Sequence, residues 1–174
     1  MSKSIVLGGG CFWCTEAVFS ILEGVEQTQP GYSGGNVKNP TYEMVCEGNT
    51  GHVEVTKIDY NPEKITLQEI LDIFFSMHDP TSLNRQGNDV GEQYRSVIFY
   101  DNDSDESTIR ASLREHEKKL SKKIVTSVEP LRNFYPAESY HKDYFRNNPK
   151  TAYCNYVIKP KVEKMRHIYP ALLK

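Results

Sequence analysis

Two cysteines three residues apart, Cys11 and Cys14, follow three glycines directly and enclose two large aromatic residues, Phe12 and Trp13. A short apolar run precedes the glycines and a helical apolar pattern follows them, so the chain is expected to turn from strand into helix at Cys11. The free N–H groups and positive dipole at the start of a helix stabilise a thiolate. The pattern therefore predicts a reactive thiol at Cys11 with a lowered pKa and access to solvent.

A Cys-x-x-Cys pair is compatible with other kinds of site. A zinc site needs two further soft ligands, and Cys46, His52 and Cys154 are available, although none forms a second pair. A thioredoxin-like disulfide exchanger also carries this spacing after a first strand. Two bulky aromatics between the cysteines suit an apolar pocket better than the docking of an extended disulfide. Simple core packing of either ring stays an alternative.

Two polar loops could bring acid–base groups to such a thiol. Residues 48–54 place His52 and Glu54 at the start of a strand, where a poorly solvated carboxyl would have a raised pKa and could donate a proton. Taken alone, Glu54 is more simply an exposed strand carboxylate and His52 a structural hydrogen-bonding residue. Residues 84–95 are crowded with hydrogen-bonding side chains and predict a polar network that supports a site.

A further thiol, Cys154, lies far along the chain. In a flexible segment it could swing to meet an oxidised sulfur, and a buried, idle cysteine is equally compatible with its position. Only three strongly apolar residues follow the N-terminus, so no secretory signal is expected and the cytoplasm is the expected location. In that compartment four cysteines are expected to be catalytic or metal-binding thiols rather than a disulfide framework.

The elements that must position these residues follow the order β-α-β-β-α-β through residue 100. Strands are predicted at residues 5–7, 25–29, 53–60 and 96–100, and helices at about 13–22 and from Thr66, where Glu69 completes a capping box, to His78. This split βαβ order is typical of a ferredoxin-like α/β (α+β) two-layer sandwich with helices on one face of the sheet. A helix at 104–120 and a strand at 124–129 extend it.

The 174 residues predict one domain, 1–174, in which residues 147–174 form a long irregular C-terminal tail that carries Cys154. A short helix at 140–145 is one option within the aromatic-rich segment after residue 130. The net charge of −2, with both signs interspersed, predicts no nucleic-acid surface. The apolar runs are too short to span a membrane.

Taken together, these segments resemble the type A peptide methionine sulfoxide reductases from residue 8 to about residue 161. The matching strings, in chain order, are GCFWC at 10–14, GYSGG at 31–35, TGHVE at 50–54, HDPT at 78–81, residues 84–96, FYPAE at 134–138 and YH at 140–141. Several separated motifs in the right order are far more specific than any one of them. The family fold, α/β with a ferredoxin-like core, agrees with the strand order above.

The resemblance implies a role for each matching position. Cys11 would be the nucleophile, and Glu54 would be the general acid that protonates the sulfoxide oxygen. The substrate-binding residues would be Phe12 and Trp13, which hold the methyl group, Tyr42 and Tyr94, which hydrogen-bond the oxygen, and Asp89, which supports that network. The implied reaction reduces the S epimer of free or protein-bound methionine sulfoxide and leaves a sulfenic acid on Cys11.

The recycling step is where the chain departs from part of the family. Some members have glycine at the position of Cys14, and the C-terminal resolving cysteines vary in number and place. Cys154, in its Asn-Pro…Tyr-Cys context, resembles a resolving position and is favoured, while Cys14 is the alternative. Cys46 matches no resolving position and is expected to be structural.

The resemblance further implies that an external dithiol, thioredoxin, reduces the resulting disulfide. No metal or organic cofactor is implied, and the chain is expected to be a monomer. Three other interpretations stay open from the residues: a general thiol–disulfide oxidoreductase, a zinc-binding structural module, and an inactive binder of oxidised methionine.

Overall fold

The computed structural model describes residues 2–174. The strands are β1 (Lys3–Gly8), β2 (Val25–Ser33), β3 (Val53–Tyr60), β4 (Arg85–Gln86), β5 (Asp89–Val90), β6 (Val97–Tyr100), β7 (Ser127–Pro130) and β8 (Tyr135–Pro136). The α-helices are α1 (Phe12–Phe19), α2 (Tyr42–Cys46), α3 (Leu67–Met77), α4 (Asp103–Leu120), α5 (Tyr144–Asn147) and α6 (Lys159–Ile168), and a π-helical turn (Cys154–Ile158) precedes α6. None of the helices in this part of the chain is long and apolar enough to cross a membrane.

Six strands form one sheet in the order β7-β6-β1-β3-β2-β8. The four central strands, β6-β1-β3-β2, pair antiparallel, which is the arrangement expected for a ferredoxin-like core. The added strand β7 returns parallel to β6 after the long helix α4. The predicted α/β class with an extra helix and strand is therefore confirmed.

The alternation of side chains along β1 divides the core in two. Ile5 and Leu7 face the helices and belong to the larger apolar cluster, whereas Val6 faces the opposite side of the sheet. There it packs in a smaller cluster onto which Leu131 and Phe134 fold. The helices cover one face, as predicted, and the chain that follows β7 covers part of the other.

Helix α3 begins as its sequence predicts. The Thr66 hydroxyl accepts a hydrogen bond from the Glu69 N–H at 3.1 Å, and the Glu69 carboxylate accepts one from the Thr66 N–H at 3.0 Å. This reciprocal pair satisfies two N–H groups that the first turn leaves without helical partners. The boundary of α3 is therefore fixed locally, and its apolar face packs against the sheet.

Strand β2 is longer than its sequence suggests. It was expected to end before Pro30, yet its pairing with β3 continues to Ser33. Proline lacks the N–H donor but keeps its carbonyl, and the Pro30 carbonyl accepts a hydrogen bond from the Ala137 N–H at 2.9 Å. The chain between residue 30 and β3 therefore contains the end of β2 and the short helix α2.

The C-terminal segment 147–174 is largely helical, so the expected irregular tail is wrong in this respect. Ile158, Val162 and Met165, spaced four and three residues apart, are buried and form one apolar stripe in the main core. Helix α6 packs against α1 through this side. The last residues run back to the end of α1, where the Glu23 N–H donates to the Leu172 carbonyl at 2.7 Å.

Candidate active site

The turn between β1 and α1 places Cys11 at the cap of the helix. Gly10 has a φ of +94°, a conformation that favours glycine, and Cys11 then adopts an extended conformation as the N-cap residue of α1. The Cys14 N–H donates to the Cys11 carbonyl at 3.1 Å, which closes the first turn. The predicted change from strand to helix at Cys11 is confirmed.

The Cys11 thiol is nevertheless covered. The residue is only 7% exposed, and burial raises the pKa of its thiol well above the ordinary value, with further increases from Glu54 and Cys14. The donor groups of Trp13 and Tyr153 lower this pKa, but by less than burial raises it. The predicted low pKa and solvent access are thus wrong for this state, because burial outweighs the donors at the helix start.

Glu54 lies on β3 directly beside the cap of α1. One carboxylate oxygen, Oε1, accepts the Phe12 N–H at 3.2 Å, while Oε2 is buried and has no hydrogen-bond partner among residues 2–174. Burial is the main reason that the pKa of Glu54 is raised to about 8, and Asp89 raises it further against the hydrogen bonds from Phe12 and Cys11. The simpler interpretation, an exposed strand carboxylate, is wrong: at neutral pH this carboxyl keeps its proton next to a thiol.

Phe12 and Trp13 differ in their surroundings although they are neighbours. Phe12 is fully buried, and its ring centroid lies 5.7 Å from that of Tyr32 and 4.9 Å from that of His141. Trp13 is partly exposed and stacks on Tyr144, with centroids 3.7 Å apart and planes 6° from parallel. Phe12 therefore belongs to the core, while Trp13 offers a fixed ring at the edge of the site.

A hydrogen bond fixes the orientation of the Trp13 ring. The indole Nε1–H donates to Nδ1 of His141 at 2.9 Å. Burial lowers the pKa of His141, so the imidazole is neutral, and its accepting Nδ1 places the ring proton on Nε2. The tryptophan is thus held by stacking on one side and by an imidazole acceptor on the other.

Tyr42 and Tyr94 are partly buried tyrosines whose pKa values are influenced by the buried carboxyl of Glu54. Tyr42 begins α2, and its N–H donates to Glu138 Oε2 at 2.8 Å, while the other oxygen of Glu138 accepts the Tyr32 hydroxyl at 2.8 Å. Burial raises the pKa of both Tyr42 and Tyr94, and Glu54 is the next cause in each case. Both phenols therefore keep their protons and remain donors near Glu54.

Asp89 stands on the small β4-β5 hairpin and contacts a residue from the tail. Its Oδ2 accepts the Tyr153 hydroxyl at 2.6 Å, and that hydroxyl also lies 3.9 Å from the Cys14 sulfur. The Tyr153 ring meets Trp13 edge-on, with centroids 5.7 Å apart. Sequence reasoning missed Tyr153, for which the only signals were the aromatic content of the tail and the position next to Cys154.

The polar loops around the site are tied to each other, as predicted for residues 84–95. The Gln86 side chain accepts from the Asp79 N–H at 2.9 Å and donates to the Asp79 carbonyl at 2.6 Å. Arg95 donates to the Gly51 carbonyl at 3.2 Å, which joins the loop to the segment before Glu54. His52 is structural, as expected: its Nδ1 accepts from the Gly35 N–H at 3.0 Å.

The four cysteines are free thiols with different surroundings. Cys14 and Cys154 are buried, at 1% and 0% exposure, whereas Cys46 is exposed at the end of α2. Throughout residues 2–174, no three or more His, Cys, Asp or Glu side chains gather in a way that could hold a metal ion. The further ligands that a zinc site would need are not assembled around the Cys11–Cys14 pair.

The family model of the peptide methionine sulfoxide reductases matches residues 3–172. The chain belongs to this family. It is similar to the peptide methionine sulfoxide reductase MsrA of Saccharolobus solfataricus, with 52% identity over 168 residues that cover 97% of this chain and 95% of the relative. The resemblance inferred from the motifs is confirmed, and with it the class of enzyme, an oxidoreductase that reduces methionine sulfoxide.

Solved structures of one relative are also similar. Reduced Mxr1 from Saccharomyces cerevisiae has a TM-score of 0.83 and 39% identity, covering 88% of this chain and 89% of that one. Mxr1 in complex with Trx2 has a TM-score of 0.60 and 30% identity, covering 82% and 84%. Both likenesses extend over most of the reductase fold.

Proposed function

We propose that this protein reduces the S epimer of free or protein-bound methionine sulfoxide, with Cys11 as nucleophile and Glu54 as general acid. The observation that carries the proposal is the pairing of the thiol at the cap of α1 with a buried carboxyl whose pKa is raised to about 8. The same N-terminal turn that presents the sulfur donates the Phe12 N–H to that carboxyl. The first turn of α1 therefore links the nucleophile to the proton donor on β3.

In the first step the Cys11 sulfur attacks the sulfoxide sulfur while Glu54 protonates the oxygen. The sulfoxide oxygen is a poor leaving group until it carries a proton. Acid assistance of this kind typically accelerates a reaction by about 10²–10⁴-fold. The phenols of Tyr42 and Tyr94 donate hydrogen bonds to the oxygen as charge builds on it.

The sulfur–oxygen bond breaks and the oxygen leaves as water, with one proton from Glu54 and one from the thiol, so the Cys11 sulfur is bonded to the substrate sulfur. Water then attacks the Cys11 sulfur and breaks this sulfur–sulfur bond, and the proton that it releases returns to Glu54. The products are methionine and a sulfenic acid on Cys11, so two electrons pass from the thiol to the sulfoxide.

Substrate binding falls to the aromatic residues at the cap. Phe12 and Trp13 hold the methyl group once the site opens, since Phe12 is fully buried in this state, and the fixed plane of Trp13 limits the side on which the sulfoxide oxygen can point. Only one arrangement about the sulfur then directs the oxygen toward Glu54. The resemblance to the family indicates that this arrangement is the S epimer, and Asp89 supports the polar side of the pocket.

Recycling requires a second thiol. Cys154 condenses with the sulfenic acid on Cys11, forming a disulfide and releasing water, and Cys14 is the alternative partner. Thioredoxin then reduces the disulfide by exchange. The Mxr1–Trx2 complex, which is similar over 82% of this chain, supports thioredoxin as the partner.

The remaining parts of the proposal concern the working form of the enzyme. It acts as a monomer in the cytoplasm, as one domain with the tail 147–174, and needs no metal or organic cofactor. The cysteine thiols supply the electrons, and the external dithiol returns these cysteines to the reduced form. Free or protein-bound substrate enters at the same aromatic pocket.

The decisive experiment is reduction of N-acetylmethionine sulfoxide by the protein with dithiothreitol, with the two epimers followed separately by chiral chromatography. We expect the S epimer to be consumed to completion and the R epimer to remain. Insulin disulfide reduction is measured in parallel, since a general disulfide exchanger would reduce insulin and leave both sulfoxides unchanged. That result would overturn the proposal.

A further inference from the structure

Tyr153 contacts residues on both the polar and the aromatic side of the proposed pocket. Its hydroxyl donates to Asp89 Oδ2 at 2.6 Å and lies 3.9 Å from the Cys14 sulfur. Its ring packs edge-to-face with the Trp13 ring. One tyrosine thus contacts the Cys14 thiol, the polar side of the pocket and its aromatic side at the same time.

A sulfoxide cannot react while the phenol stays in this position. Attack requires the reacting atoms to approach to about 3–3.5 Å in line, and the Tyr153 side chain already contacts Asp89 and Trp13, the residues that the substrate would contact. Cys11 is 7% exposed with the phenol in position. Attack of Cys11 on the sulfoxide therefore requires Tyr153 to move out of the pocket first.

The backbone links this movement to the resolving thiol. Cys154 follows Tyr153 directly and begins the π-helical turn Cys154–Ile158, and its side chain is fully buried in the main core. Neighbouring residues in a helix point in directions about 100° apart, so Tyr153 and Cys154 cannot both face Cys11. Isolated π turns occur frequently at functional sites, where they carry an extra residue that can shift register.

We propose that Tyr153 is a positioning residue that occupies the sulfoxide site of the reduced, empty enzyme and thereby keeps Cys154 turned into the core. Methionine sulfoxide displaces the phenol from Asp89, and the displacement frees the neighbouring Cys154 to reach Cys11 once the sulfenic acid has formed. The substrate itself therefore releases the thiol that completes the cycle. This inference rests on the proposed function of Cys11 and Cys154.

The first test measures whether Tyr153 competes with substrate. Tyr153→Phe keeps the ring and removes the hydrogen bond to Asp89, so the site opens more easily. The apparent affinity of a site that is closed most of the time is reduced by its open fraction, and we expect KM for N-acetylmethionine sulfoxide to fall by about tenfold. The first-step rate at saturation should stay close to that of the parent, since the reacting groups are unchanged.

A matched control comes from the same turn. Tyr156 is 82% exposed, so Tyr156→Phe removes a hydroxyl from a neighbouring residue without touching the site. It should leave KM unchanged. A rise in KM in Tyr153→Phe would show that Tyr153 helps to bind the substrate. An unchanged KM would show that its hydrogen bond to Asp89 does not affect substrate binding. Either result overturns the proposal.

The second test follows Cys154 and the ring directly, without a change at Tyr153. In a Cys11→Ser background N-acetylmethionine sulfoxide binds but does not react, and we expect it to raise the rate of Cys154 alkylation, read by peptide mass spectrometry, by about tenfold. Trp13 is the only tryptophan of the chain, so its fluorescence should change on binding as Tyr153 leaves. If the rate of Cys154 alkylation does not change on addition of substrate, displacement of Tyr153 does not release Cys154, and this coupling is overturned even if Tyr153 moves.

These outcomes are separable from failure of the proposed function. A parent protein that does not reduce the sulfoxide at all removes the basis for both proposals. A parent that reduces it normally, with KM unchanged in Tyr153→Phe and Cys154 labelling unaffected by substrate, removes only the role of Tyr153.

Discussion

The two thiols that meet in the proposed disulfide are held by regions of different construction. Cys11 follows β1, which is hydrogen-bonded to β3 on one side and β6 on the other, so its position is set by the centre of the sheet. Cys154 lies in a helical turn that is attached mainly by side-chain packing of α6 against α1. The comparison indicates that the nucleophile is fixed and that the resolving partner is the part that must rearrange.

Cys11→Ser tests the fixed side and has the largest expected effect. Without the sulfur there is no nucleophile at the cap of α1, so we expect no detectable reduction of methionine sulfoxide with any reductant. Reduction is measured by chromatography of the methionine product. Substantial remaining activity would mean that Cys14 can act alone and that the position of Cys11 is not decisive.

Cys154→Ser tests the rearranging side. The first step does not use this thiol, so we expect one equivalent of methionine per enzyme, followed by loss of thioredoxin-driven turnover. Cys14→Ser, the matched variant, should keep that turnover. Normal cycling in Cys154→Ser and loss of cycling in Cys14→Ser would assign resolution to Cys14 and make the tail a passive cover.

Glu54→Gln keeps the shape of the carboxyl and removes its acidic proton. We expect the first step in single-turnover experiments at pH 7 to slow by about 10²–10⁴-fold, with a deficit that shrinks as the pH falls and solvent protons replace the donor. Glu16→Gln, a buried carboxyl that instead bonds Thr28 and Lys142, is the control and should leave the first step intact. Equal rates in parent and Glu54→Gln would remove Glu54 from the mechanism.

Met165→Ala tests whether packing of the tail against the core contributes to stability alone or also to the first chemical step. Met165 is 1% exposed on the stripe that packs α6 into the core, and truncation of such a residue costs about 2–5 kcal/mol of unfolding free energy. Denaturant unfolding measures this loss. The first-step rate at saturating substrate should be retained, because the tail does not supply the reacting groups. A large fall in that rate would show that the tail takes part in the first step.

The sequence predicted what depends on local patterns. The turn at Cys11 follows from glycines between a strand and a helix, and the capping box of Thr66 fixes the start of α3. The environment of Cys11 was not predictable in the same way, because Tyr153, which lies beside the Cys11–Cys14 pair, comes from a distant part of the chain. The hydrogen bond from Trp13 to His141 spans 128 residues of sequence. No local pattern contains such a contact.

The most direct test of the central claim is the pH dependence of the first step, measured by single turnover in the parent and in Glu54→Gln. Because the pKa of Glu54 is raised to about 8, its proton is present below that pH and is lost as the pH rises through it. The profile of the parent should therefore bend downward near pH 8, whereas the profile of Glu54→Gln should show no bend there. Identical profiles in the two proteins would contradict proton donation from Glu54 to the leaving oxygen.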